Sequence, residues 1–161
     1  MSILVYRRQK IRELYNTKLS ENFDLSEFVR TSTGLDNIPD ESDVKNIRYL
    51  VQAVLQPLRT SLQRPVVVTS GYRSPSVNKV IGGVDHSQHL TGEAADITVT
   101  GLSPTQLLAE VRALRLPVDQ AIDEQFDGKA WLHVSASRKS QRNQFLAARK
   151  INGVLTYSQV A

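Results

Sequence analysis

The sequence contains no cysteine, so disulfide staples and thiolate metal sites are both excluded, and the redox compartment cannot be read. Histidine is scarce, with three in the chain, and any transition-metal site must combine these with Asp or Glu. Long hydrophobic runs are also missing: no stretch approaches the length needed to cross a bilayer. The first apolar stretch, Ile3 to Tyr6, is short and is followed by Arg7 and Arg8. A secretory signal has the opposite order and a longer apolar region, so none is expected, and a protein working outside the membrane would need another route of export. Aromatic residues make up 6% of the chain, and no nucleic-acid-binding motif or interleaved aromatic pattern is seen.

What is present suits one ordinary globular domain. The chain has 161 residues, 40% hydrophobic and 22% charged, enough for a single core. The net charge of +4 is compatible with a mildly basic protein of no special affinity, or with attraction to a polyanion such as the bacterial wall or nucleic acid. Residues 1–20 are basic through Arg7, Arg8, Lys10, Arg12 and Lys18, and form a candidate N-terminal arm ahead of a domain over residues 21–161.

Hydrophobic periodicity orders the rest. Phe23 to Val29 reads as a turn and short helix, and residues 31–43 as a loop. Val44, Ile47, Val51, Val54, Leu55, Leu58 and Leu62 make one apolar stripe at helical spacing. Residues 66–70 (VVVTS) are β-branched and read as a buried strand. Residues 71–92 look irregular, a long loop of the kind that is usually functional. Strands are expected over 93–99, 118–122 and 131–135. A helix between the first two starts at the capping box Ser103–Gln106 with Pro104 at its first position. Asn152-Gly153 predicts a hairpin turn. Helices precede strands without βαβ alternation, which points to an α+β fold.

Against this frame His89, Asp96 and His133 form a candidate metal set. Two nitrogens and one oxygen leave a fourth tetrahedral position open, as in catalytic zinc sites, where a coordinated water is acidified to a pKa of about 7. Spacing alone favours a simpler alternative: a surface histidine and a hydrogen-bonded strand histidine.

The text around these residues is more specific. "VTSGYRSPSVNKVIGG…SQHLTGEAADI" and "DQAIDE…WLHVS" resemble the M15 zinc metallopeptidases, in particular D-Ala-D-Ala carboxypeptidases and phage cell-wall endopeptidases, over residues 23–157. The resemblance implies a single domain with a small antiparallel sheet carrying the zinc site and helices packed on it, the Hedgehog/DD-peptidase-like arrangement. It implies Zn²⁺ held by His89, Asp96 and His133, with Gly92 turning the chain between ligands. It implies a substrate-binding and catalytic role for Arg73, whose guanidinium fork suits a carboxylate, and places Ser87 and Tyr72 nearby. Ser87 could equally cap a turn, and Tyr72 could be an ordinary half-buried tyrosine. Many relatives have an acid three positions before the last histidine, where this chain has Ala130. The general base implied instead is Glu124, with Asp127 as the fallback, Asp123 and Glu93 facing away, and His86 either supporting a ligand from behind or at the surface. The implied partner is the peptidoglycan stem peptide, in a lysin that waits in the cytoplasm or rides in a virion. The alternative is a wall-docking or virion-associated module with little hydrolysis, its basic arm serving as the docking segment.

Overall fold

A computed structural model of the protein describes residues 16–160 and, before them, Val5, Gln9 and residues 11–13. Most of the basic arm, including Arg7, Arg8 and Lys10, lies outside the described residues. Its end joins the domain: Leu19 is buried in the core, Lys18 pairs with Asp24 at 3.3 Å, and Ser20 Oγ donates to Gln56.

Helix α1 (Leu25–Val29) follows a capping box between Asp24 and Glu27 and buries Leu25, Phe28 and Val29. The apolar stripe over 44–62 forms a continuous helical rod in three parts. Helix α2 (Glu41–Leu50) starts at the Asp40–Asp43 capping box, a π-helical turn spans Val51–Leu55, and helix α3 (Gln56–Leu62) completes it. The wider turn has a local cause. Pro57 has no N–H to donate to the residue four before it and its ring crowds that carbonyl, and just ahead of it the Gln56 N–H bonds to Val51, five residues back. The stripe still faces inward, with Ile47, Leu50, Val51, Val54, Leu55 and Leu58 buried.

Strand β1 (Val67–Ser70) follows. Within the segment that reads as irregular, the structure adds helix α4 (Pro75–Val80) and a 3₁₀ turn over Gln88–Thr91. Helix α4 is capped by Ser74 with Pro75 at its first position, the same signal that marks helix α5 (Pro104–Ala113), but it is too short to build a periodic pattern. Strands β2 (Ala94–Thr98), β3 (Gln120–Phe126), β4 (Lys129–Ser135), β5 (Gln144–Ile151) and β6 (Val154–Gln159) complete the chain. The β5–β6 turn is the expected one, with Asn152 and Gly153 both at positive φ.

The strands make one sheet in the order β1-β2-β4-β3-β5-β6. Four of its pairings are antiparallel, as expected, but β5 runs parallel to β3. After β4 the chain crosses the start of β3 through residues 136–143 and lies down on its far side. Asp119 fastens that crossing: its carboxylate accepts from the Arg142 backbone and guanidinium, and its carbonyl from the Gln144 N–H. One sheet face carries Ala95, Ile97, Leu132, Val134 and Ala121 into a core shared with Leu107, Leu108 and Val111 of α5 and with the helical rod. The other face carries Asp96, His133, Trp131, Ile122 and Glu124.

Candidate metal centre

Three elements bring the predicted ligands together. Asp96 and His133 are direct cross-strand partners on β2 and β4, so their side chains rise from the same spot on the same face. His89 comes from the 3₁₀ turn, which ends at Gly92 in the left-handed region (φ +70°) before β2 begins. A side chain at Gly92 would meet the Asp43 carbonyl at 2.7 Å, so glycine is needed both for the turn and for its close seat on α2. One ligand atom from each of the three residues lies within 4.8 Å of the others. Asp96 Oδ1 is the shared point, 3.3 Å from His89 Nε2 and 3.0 Å from His133 Nδ1. The imidazoles meet edge to face with centroids 5.1 Å apart.

The surroundings prepare these groups to bind a cation. His89 Nδ1 lies 2.7 Å from the Gly71 carbonyl, an acceptor only, so this nitrogen carries the proton and Nε2 turns its lone pair to the cluster. Burial lowers the His89 pKa, with Asp96 opposing, and favours the neutral ligand form. For Asp96, burial works upward, but the neighbouring imidazoles outweigh it and hold the carboxyl below the usual range. Its other oxygen accepts from an Arg73 guanidinium nitrogen at 2.8 Å, which leaves Oδ1 for the centre. Two buried imidazoles and a buried carboxylate converging in this way fit a borderline-soft divalent ion such as zinc.

Arg73 is thus built into the centre. Its Nε donates to Ser70 Oγ at 3.0 Å and its backbone N–H to the His89 carbonyl at 3.0 Å. Ser87 caps the 3₁₀ turn, its Oγ accepting from the His89 N–H. Tyr72 is not brought to the cluster. It is 6% exposed in the core, hydrogen-bonded to Asp43 on α2, with its hydroxyl pushed up to about 12 by burial and the Asp43 and Asp40 charges.

Among the acids, Glu124 is the one facing the centre. It sits two residues past Ile122, the cross-strand partner of His133, and on the same face. Burial raises its pKa, and the charges of His133, Asp96 and Arg73 all reach it. Asp123 points to the other face, bonded to Thr105 and Arg149. Asp127 is at the β3–β4 turn, paired with Lys150 at 2.7 Å. Glu93 accepts from Thr91, and His86 is exposed. Ala130 shares the face of Leu132 and Val134, so in this strand a carboxylate at position 130 would point away from His133.

Four residues outside the candidate set also contribute: Gly71, which orients His89, Ser70, which steadies Arg73, and the pair Asp119–Gln88. Gln88 Nε2 donates to Asp119 at 2.9 Å, so the crossing after β4 and the turn bearing His89 are joined. Gly71, Ser70, Gln88 and Asp119 all lie inside the motif blocks, but their roles depend on contacts between distant segments.

A family model described as Peptidase M15 matches residues 21–135, from the start of the domain to the end of β4. The chain belongs to the M15 peptidase family. Its class is therefore that of a peptidase, and the three candidate ligands and Glu124 all fall inside the matched stretch. No curated protein matches the chain. Among the described residues, no helix is long and apolar enough to cross a membrane.

Proposed function

We propose that the protein is a zinc-dependent peptidase that hydrolyses peptide bonds in the stem peptides of bacterial peptidoglycan, in the setting of a phage or prophage lysin. The observation that supports this most is the convergence of His89, Asp96 and His133 on one point with Glu124 on the same sheet face, inside a peptidase family match.

His89, Asp96 and His133 would hold the ion. Bound there, zinc would supply Lewis acidity to the scissile carbonyl and to an attacking water. Glu124 takes the proton from that water and passes it to the leaving amine. Its raised pKa suits a group that must both accept and return a proton. Arg73 fixes Asp96 through Oδ2 with one nitrogen, and the guanidinium has further donors able to meet a substrate carboxylate or carbonyl. Its place beside the ligand lets it do both. A non-hydrolytic docking module would draw on Ala130, but that position lies on the sheet face opposite His133, where a carboxylate would not reach the centre, which favours the enzyme.

The test is incubation of the zinc-loaded protein with purified peptidoglycan. New amino groups without new reducing sugar ends are expected. Reducing ends, or no product at all, would refute the proposal.

A further inference from the structure

The sheet does not end at the centre. Beyond His133 the same face continues across β3, β5 and β6, and the register aligns two rows on it. One runs His133, Ile122, Leu146, Gln159, and the next runs Trp131, Glu124, Ala148, Tyr157. Three strand spacings separate β4 from β6, about 14 Å, enough for about four residues of an extended peptide laid across the strands.

The floor of this strip is apolar. Ile122 is 7% exposed and Ala148 has no exposed surface, although the helices pack on the other side of the sheet. The small Ala148 therefore lies beneath its neighbours, with Glu124 on one side and Tyr157 on the other. Tyr157 itself is 52% exposed and Leu155, two residues before it on the same face, is 39% exposed. An apolar face left open at the edge strand is costly in solution unless something uses it. The Glu124 charge also reaches Tyr157, adding to partial burial in raising its hydroxyl pKa, which marks the two as spatial neighbours. The β5–β6 hairpin lies past residue 135, where the family match ends. It borders the proposed base.

We propose that Tyr157 is a substrate-contacting residue, and that the surface lying over Ile122 and Ala148, between Glu124 and Tyr157, binds several consecutive stem-peptide residues on one side of the scissile bond. The protein then acts on an extended peptide and not on an isolated dipeptide. This rests on the peptidase reading above, with the metal and Glu124 at one end of the strip and Tyr157 at the other.

Trp131, the single tryptophan, shares the row of Glu124 and Tyr157 and reports on it directly. The experiment titrates zinc-free protein with the pentapeptide L-Ala-D-Glu-L-Lys-D-Ala-D-Ala while following tryptophan fluorescence. In parallel, the zinc-loaded protein is assayed on that pentapeptide and on D-Ala-D-Ala. The pentapeptide should be the better substrate by about 100-fold in kcat/KM, because remote contacts contribute to catalysis. Tyr157→Ala should weaken pentapeptide binding and raise its KM about tenfold or more, while Tyr157→Phe, which keeps the ring, stays within about threefold. Bound zinc and thermal melting should be unchanged in both variants. Equal cleavage of dipeptide and pentapeptide, or a Tyr157→Ala variant that binds and cuts like the wild type, would overturn the inference and leave the peptidase reading intact. Tyr157-dependent binding without cleavage of either peptide would uphold the inference and count against the peptidase reading. Neither binding nor cleavage would overturn both.

Discussion

Arg73 and Asp96 form a part-buried pair in which the guanidinium takes Oδ2 at 2.8 Å, while one nitrogen of each histidine lies against Oδ1. The division of the carboxylate fixes which oxygen faces the ligand cluster. Lysine at position 73 would keep the charge but lose the second contact that Nε makes with Ser70. Arg73→Lys is therefore expected to weaken zinc binding or activity by about 10–100-fold, the usual cost of losing a group that orients a ligand. Competition with a calibrated chelator measures the first, and wild-type affinity and rate together would show that Arg73 does not orient Asp96.

Glu124 is the assigned proton carrier. Glu124→Gln should lower kcat by about 10²–10⁴-fold with zinc still bound. Full activity in this variant would remove Glu124 from the mechanism.

The same residue makes a stability prediction with a definite sign. Burial raises its pKa in the folded protein above that of the unfolded chain. The favourable state is the neutral carboxyl, fully present below the unfolded-state pKa and lost as pH rises through the folded one. Above that window the ionised group opposes folding. Metal-free Glu124→Gln should then melt at a higher temperature than metal-free wild type at pH 8, and the gap should close below the ordinary carboxylate range. A gap that widens toward acid would contradict the assignment of Glu124 as a desolvated group.

Asp119 ties the crossing after β4 to the His89 turn through Arg142 and Gln88. Asp119→Ala leaves these partners and two loop connections without their anchor; Arg142 is half exposed and can rehydrate, so the cost should be about 1–3 kcal/mol. Denaturant unfolding measures this directly. A change near zero would mean that the crossing is held elsewhere.

The sequence makes some parts of this site legible and not others, for physical reasons. Asp96, His133 and Glu124 sit in strands whose alternation fixes which neighbours share their face, while the coincidence of the three faces depends on strand register. Asp123 is separated from Glu124 by the same rule. His89 can be found through its motif, but its orientation depends on the Gly71 carbonyl, eighteen positions away. Tyr72 falls next to Arg73 in the motif, yet adjacent residues leave the backbone in different directions, and its ring goes to the core. Helix α4 has clear capping residues but no periodicity to support them. The parallel β3–β5 pair escapes because strand order depends on the path of the chain after β4. Pro57 shows how a continuous apolar stripe can hide a change of helical geometry.

The most direct test is zinc content and muralytic activity on one sample of wild type and one of His133→Ala. The account predicts about one zinc per chain and release of peptide fragments for the wild type, with both lost in the variant. A wild type that binds no zinc, or a variant that keeps both metal and activity, would contradict the ligand set and the chemistry built on it.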